Sequence, residues 1–551
     1  MGDSSAQAGQ QAVSVAGAAG KRAEAAVTSA WVPLRRKLFR ALWIAAVASN
    51  LGTWMHEVGG NWLMTQLAPT PLMVSLIQTA EAVPVFFLAL AAGALADVID
   101  RRRLLIFSQA WMLAAATGLG VLTLLHLTTP QMLLAFTFLL SFGNALNGPA
   151  WQAIVPELVP RGEVPAAVSL NSVGFNVARA AGPALGGLIV AAAGSGAVFL
   201  LNAVSFLGVI VVLYEWRRPR RESVLPAERV ASAMRAGLRY VIHAPPIHAV
   251  LMRTTLFMLG ASALWGLVPL FARQNLGRGA AGYGVLLGFF GSAAVIGGSF
   301  LPRLQQELGV KRLLAAGALL YSGALALMAL WHSFPAACVG MLAAGLAWTT
   351  QLSTFNTSVQ LNAPAWVRGR AIAVYQLTYY AAMGACSAMW GTVALHVGIP
   401  RALLIAALVL AAGLMVAARF PVGLAEDLNL EPSSRPAPVV VNEPEAEHGP
   451  VMVTVEYWIK PEQAAEFARA MLQLGRVRRR DGAIQWGLYE DVGKPGRFVE
   501  TFVVESWAEH LRQHDRATVA DREIWELVRS FHQRAAPPAV SHLLYAYHEE
   551  T

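Results

Sequence analysis

The stretch GALADVIDRRR, Gly93–Arg103, decides how the rest of the chain is read. A long apolar run ends there, and Asp97, Asp100 and three consecutive arginines follow Gly93 at close spacing. Such a cluster is expected where a membrane helix leaves the bilayer on its cytoplasmic side and turns sharply into the next. Taken alone, it could equally be a basic anchor that only sets orientation.

Composition points the same way. Hydrophobic residues make up 56% of the 551 and charged residues 14%, against about 25% charged in an ordinary globular chain. The net charge of +9 could suggest nucleic acid, but the arginines sit in short connections between apolar runs, so the excess reads as topology and no nucleic-acid partner is expected. Cys338 and Cys386 lie in apolar segments without ligand-like spacing and read as buried, inert thiols. Residues 1–30 are rich in Ala, Gly and Ser with no apolar core; they read as a disordered tail, with no cleavable signal peptide apparent.

Apolar runs begin near Phe39, Leu72, Leu104, Gln131, Val164, Val198, Val250, Gly282, Leu313, Pro335, Val367 and Leu403. At roughly 20 residues per span they predict about twelve membrane helices. One set of turns carries Arg101, Arg102, Arg103, Arg161, Arg303, Lys311, Arg312, Arg368 and Arg370; the alternate set carries Arg273, Arg278 and Arg401. The basic set, with Arg35, Arg36, Lys37 and Arg40 ahead of the first run, is assigned to the cytoplasm, as are both termini. Repeated apolar runs with basic turns on one side read as a multi-pass membrane protein.

The expected organisation is a tail over 1–30, a six-helix bundle over 31–214, a linker over 215–247, a second six-helix bundle over 248–420, a tether over 421–450 and a soluble α+β domain over 451–548. In the linker, Val230, Met234, Leu238 and Val241 recur at helical spacing while Arg235 and Arg239 fall elsewhere on the wheel. This predicts a short amphipathic helix lying on the inner leaflet. The bundles echo each other: LVPRGEVPAAVSLN and WVRGRAIAVYQLT place Arg161-Gly162 and Arg368-Gly369 at equivalent points. Parallel repeats of this kind put a substrate site between the halves near the midplane.

The opening stretch also resembles the loop signature of the major facilitator superfamily, G-x-L-a-D-x-x-G-R-[KR]-x, through Gly93, Leu95, Ala96, Asp97, Arg101 and Arg102. Asp100 stands where that family has its second glycine. In the fifth run, ARAAGPALGG (Ala178–Gly187) reads on its own as a helix-packing seam, yet Gly182, Pro183, Gly186 and Gly187 also resemble the motif of the superfamily's antiporters. The resemblance covers about residues 35–420, and VPELVPRGEV is similar to the bacterial exporters related to the enterobactin exporter. It implies an all-α, twelve-span 6+6 fold, secondary-active export, and a conformational gate at Gly93, Asp97, Asp100, Arg101 and Arg102. The family's drug–proton antiporters often carry R-x-x-q-G in the fourth span; this chain has Asn144 and Asn147 there and no arginine.

Other intramembrane charges therefore become the candidates for proton coupling: Glu81, Arg179 and Glu57. An ionisable group at that depth costs about 2.5–3.5 kcal/mol on insertion scales and normally faces a cavity or a partner. Glu81 is expected to alternate between a protonated and an arginine-facing state, with a permanent structural Glu–Arg pair as the alternative. Asn50, Trp54, Gln351, Asn356, Gln376 and Tyr379 are the candidates for lining a cavity that takes an amphipathic organic substrate. His56 has no second metal ligand nearby. Neither a cofactor nor a metal is expected.

Beyond the tether, VMVTVEYWI, AIQWGLYEDV, RFVETFVVESW and SHLLYAYH alternate as strands, with helical regions at Pro461–Arg479 and Ala508–His532. The order β-α-β-β-α-β is the ferredoxin-like pattern. It resembles the antibiotic-biosynthesis-monooxygenase type of dimeric α/β barrel, which implies a homodimer formed through the sheets. His510 and His514 share one helical face, but Leu511 stands where a zinc-protease glutamate would be, and His532 and His542 cannot be placed as third ligands. Packing or surface histidines are the simpler reading. The expected function is proton-coupled export of a small drug-like or siderophore-like compound. The alternative is a bifunctional membrane protein whose C-terminal domain acts as a monooxygenase-like enzyme or ligand sensor. No G-x-x-x-x-G-K-[ST] sequence occurs, so direct ATP drive is not expected.

Overall fold

The computed structural model describes residues 31–98, 100–216, 230–364, 366–423, 429–431, 433 and 444–546; side chains at 89–98, 161, 230–234 and 236 lie outside that description. The expected tail, most of the tether and the Gly93 and Asp97 side chains therefore fall outside it as well.

Long helices dominate: α1 Lys37–Leu67, α2 Pro71–Val98, α3 Arg101–Leu124, α4 Pro130–Ile154, α5 Val164–Glu215, α6 Val230–His243, α7 Pro245–Gln274, α8 Ala280–Leu330, α9 Phe334–Asn362, α10 Arg368–Val397 and α11 Ile399–Ala417. Eight of them are long and apolar enough to cross a membrane. Helices α5 and α8 leave helical geometry at Gly194 (φ 80°) and Gly309 (φ 71°). Only glycine adopts that conformation without strain. The breaks fall just before the runs read from Val198 and Leu313, so each long helix doubles back there on itself.

The substitution of Asp100 for the family glycine has a local cause. Its carboxylate accepts a hydrogen bond from the Arg103 backbone N–H at 3.0 Å and caps α3, a contact that satisfies one of the free donors of a helix start. The two arginines that follow are thereby aimed at neighbouring helix ends. Arg101 reaches Glu157 at 2.8 Å, and Arg102 donates to the carbonyls of Leu213 and Tyr214, both at 2.7 Å. A cation at the C-terminal carbonyls of α5 also complements the helix dipole.

Helix α6 buries Gly237, Tyr240 and Val241, whereas Leu238 and Ile242 are exposed. Arg239 turns toward the C-terminal domain. The helix lies against protein on one side because Gly237 allows the Arg370 side chain of α10 to approach closely.

The C-terminal domain consists of β1 Val451–Trp458, α12 Ala464–Asp481, β2 Gln485–Glu490, β3 Arg497–Val504, α13 Trp507–Arg516, α14 Val519–Ser530 and β4 Ala539–Leu544. Its antiparallel sheet has the order β2-β3-β1-β4. Alternation sends Val451, Val453, Val455 and Tyr457 into a core with Phe467, Met471, Phe502 and Trp507, while the opposite face, including Met452 and Leu543, stays open. The second helical region is two helices where one was expected. Thr518 and Asp521 form a capping box that starts a new helix after Ala517, and such a box competes with helix continuation. Described parts of the tether lie along this domain: Ser433 donates to the Ala517 carbonyl, and Glu431 and Asn429 accept from Val519 and Ala520.

His510 is buried among His514, His542 and Trp507, with ring centroids 5.0, 4.8 and 5.4 Å away. His532 instead accepts from the Trp458 N–H at 3.1 Å. Among the described residues no group of three potential ligands is placed to hold a metal. Burial first, then the neighbouring histidines, push the His510 imidazole down to about 3, and burial lowers His542 as well. A neutral buried histidine contributes stability that is complete above the unfolded value of 6.5. That stability is lost as the pH falls toward 3, by at most about 1.4 kcal/mol per pH unit. The melting temperature of the domain should therefore drop between pH 7 and 5, and His510→Phe should flatten the slope. Equal slopes in the two proteins would show that the histidines do not set it.

Candidate functional site

A cavity of about 520 Å³ lies between the two halves of the helical bundle. Its charged groups all come from the first half: Glu57 on α1, Glu81 on α2 and Arg179 on α5. The wall supplied by the second half is aromatic, with Trp265, Phe290, Trp348, Tyr379 and Tyr380. Trp348 is the hub of that wall, its ring lying 5.4 Å from Trp265, 6.1 Å from Phe290 and 6.3 Å from Tyr379. Aromatic rings supply large apolar contact area while keeping polar edges for orientation.

Of the residues expected at this site, Asn50, Trp54, Glu57, Glu81, Arg179 and Tyr379 line the cavity. Three others are not among its lining residues. Gln351 is buried against α8, donating to the Leu314 carbonyl; Asn356 accepts from Gln360 one turn on; Gln376 is exposed, one turn from Tyr380 along α10. Polarity within a span marked these residues, but it cannot tell a cavity-facing amide from one that bonds a neighbouring helix. Sequence reasoning passed over Gln78, Gln109 and Asn202 as lining residues. Asn147, where the antiporter arginine is missing, accepts from Gln109 at 3.1 Å, so an amide network occupies that wall.

No ion pair joins Glu81 or Glu57 to Arg179 among the described residues. Arg179 is held by Asn176 at 3.1 Å, and its Nε has no partner. Carboxylates and guanidinium share one cavity while remaining apart, an arrangement in which charge partners can change.

The halves meet at the end opposite the basic turns. Thr79 donates to the Gly384 carbonyl at 2.8 Å, Arg273 donates to the Thr65 carbonyl, and the Trp62 and Tyr283 rings stack at 6.2 Å. The GPALGG motif takes part in two seams. Gly182 and Gly186 admit α1, since a Cβ there would lie 2.6 Å from Trp54 Cβ and 2.8 Å from Met55 Cα. Gly187 admits α8 of the other half, where a Cβ would lie 2.6 Å from the Ala280 carbonyl oxygen. Close backbone approach of this kind needs small residues.

A family profile described as transmembrane secretion effector matches residues 28–550, which takes in the C-terminal domain as well as the bundle. The chain belongs to that family. It is a major facilitator superfamily transporter and a multi-pass membrane protein. Similar curated proteins are the staphyloferrin A transporter of Staphylococcus aureus, 23% identical over 59% of this chain and 82% of that one, and the multidrug efflux pump Tap of Mycolicibacterium fortuitum, 24% identical over 61% and 84%. The uncharacterised transporter YfiS of Bacillus subtilis is 30% identical, over 36% of this chain and 47% of its own length. Among solved structures, a bacterial homologue of the lysosomal transporter Spinster, in an inward-facing conformation, has a TM-score of 0.56 at 13% identity, covering 70% of this chain and 98% of that one. The nucleoside transporter NupG has a TM-score of 0.53 at 14% identity, covering 70% and 100%. At these identities the structures share a fold with this transporter, and its substrate is a separate question.

Proposed function

We propose that this transporter is a proton-coupled exporter of small organic compounds, working by alternating access across the bacterial inner membrane. In this reading it has about twelve spans, the helices on either side of Gly194 and Gly309 counting separately, and both termini are cytoplasmic by the positive-inside rule. The form described is then open toward the cytoplasm. One observation carries the proposal: Glu57, Glu81 and Arg179 share an aromatic-walled cavity between two halves that touch at one end. The amphipathic lining suits a drug-like or siderophore-like compound, in keeping with the names of the two longer-matching relatives. Arg101 and Arg102 act as a gate by tying helix ends of the first half together, with Asp97 and Gly93 assigned to the same gate by their motif.

The test is movement of a panel of siderophores and drugs into inverted membrane vesicles with and without an imposed pH gradient. Gradient-dependent accumulation of at least one compound is expected; no dependence for any of them would overturn the proposal. A chain ending at Phe420 should still transport if the C-terminal domain is accessory and not an enzyme. The ferredoxin-like domain is assigned a dimerising role through its open sheet face, where Met452, Tyr489 and Leu543 are exposed. A strictly monomeric protein by light scattering in detergent would remove that assignment.

A further inference from the structure

The C-terminal domain is seated on the bundle through a specific set of contacts. Arg239 of α6 donates to the Gly482 carbonyl at 2.7 Å and approaches Glu509 at 3.7 Å. Arg516, itself paired with Glu509 at 2.6 Å, lies 4.6 Å over the Trp366 ring in the turn between α9 and α10. Arg480, held by Asp481 and Asp521, lies 5.6 Å over Tyr240 of α6. Tyr240 in turn packs edge-on against Trp366 at 5.6 Å and donates to the Asn362 carbonyl. Glu509, Arg516, Tyr240 and Asp481 are all buried. Desolvated charge pairs and cation–π contacts are stronger than their exposed counterparts, so this is a built interface.

What it holds in place is informative. Helix α6 touches both α2 and α10. Those two helices are joined at the end of the bundle away from the basic turns, at Thr79–Gly384 and around Gly391. At the basic end α10 begins at Arg368, and there the Arg370 side chain packs on Gly237 of α6. To close the basic end, α2 and α10 must approach each other where α6 lies. A helix pinned there opposes that approach.

We propose that α6 is a wedge between the halves at the basic end, and that the C-terminal domain favours the open form of that end by holding the wedge in its seat through Arg239, Tyr240 and Trp366. This rests on the alternating-access reading above. A docked domain can bias the two forms only by the difference in how well it binds each, and the seat described here belongs to the open one. Release of the domain should raise the closed population by about threefold to tenfold, the effect of losing one partly exposed ion pair and one cation–π contact.

The experiment uses the full chain with Cys338 and Cys386 replaced by Ser and spin labels at Arg103→Cys and Glu307→Cys, exposed positions on the two halves at the basic end. A second label pair, Leu361→Cys with Arg512→Cys, reports whether the domain is seated. The combined Arg239→Glu and Trp366→Ala protein should show a released domain and more of the short Arg103–Glu307 distance. Arg235→Ala, which removes an exposed 3.5 Å pair with Glu505, should change neither. A released domain with an unchanged or longer distance would overturn the wedge; a domain that stays seated would overturn the seat itself. Because the distance is read without transport, its outcome is separate from the vesicle test of proton-coupled export.

Discussion

Glu81→Gln should uncouple export from the pH gradient while leaving downhill movement of substrate intact. Glutamine keeps the shape and polarity of a protonated glutamate but cannot release a proton, so it fixes one of the two states that the proposed cycle alternates between. One pH unit is about 1.4 kcal/mol, which at one proton per electroneutral cycle supports a roughly tenfold concentration ratio. The variant should fall toward a ratio of one under the same gradient. Substrate counterflow, which needs no net proton movement, should persist near the wild-type rate. The position of Glu81 supports this outcome: it lines the cavity with Glu57 and Arg179, and no ion pair ties it to that arginine among the described residues. Unchanged gradient-driven accumulation would remove Glu81 from the mechanism. Loss of counterflow as well would show that the residue serves the cavity's architecture instead of its coupling.

The second large effect is expected at Gly187. Its neighbours across the seam are backbone atoms, the Ala280 carbonyl oxygen and Gly284 Cα, 2.6 and 2.8 Å from where a Cβ would stand. Backbone cannot swing aside as a flexible side chain can, so the two halves must separate there. Overpacking of this kind costs about 1–3 kcal/mol, enough to shift a two-state balance by roughly fivefold to 150-fold. Gly187→Val should therefore reach the membrane and fold, because the strain lies between the halves, yet lose most of its transport. Gly208→Val provides the control, since nothing lies within 4 Å of its added Cβ. Gly186→Val should behave differently again: its clash is with Met55 inside the first half, so reduced expression is the expected result. Normal transport by Gly187→Val would show that this seam opens no part of the cycle.

Much of this molecule was legible because a bilayer leaves few choices. Long apolar runs must be helices, since no water is available to satisfy free backbone groups, and basic turns select one side. The runs beginning at Val198 and Leu313 were read as separate by length, and the structure places glycine at each break. The GPALGG spacing was likewise readable as a place of close approach, although which helix approached was not. Half-legible was the C-terminal domain, whose strand alternation shows plainly but whose second helix divides at a capping box that composition alone does not weigh.

The sequence by itself determined the membrane class, the presence of a strand-bearing segment after the apolar runs, and the charged residues within those runs, Glu57, Glu81 and Arg179. These depend on local pattern: hydrophobicity over a span, periodicity within an element, and the rarity of charge in an apolar run. Only the tertiary structure decided that Gln351 turns to a carbonyl of α8 and that Gln78, Gln109 and Asn202 line the cavity. The rotation of each helix about its axis is set by its neighbours, not by its own residues. The same holds for GALADVIDRRR. The cap made by Asp100 is local, but the arginines found Glu157, Leu213 and Tyr214 because three helix ends meet there. Such a meeting is set by packing between segments far apart in the chain.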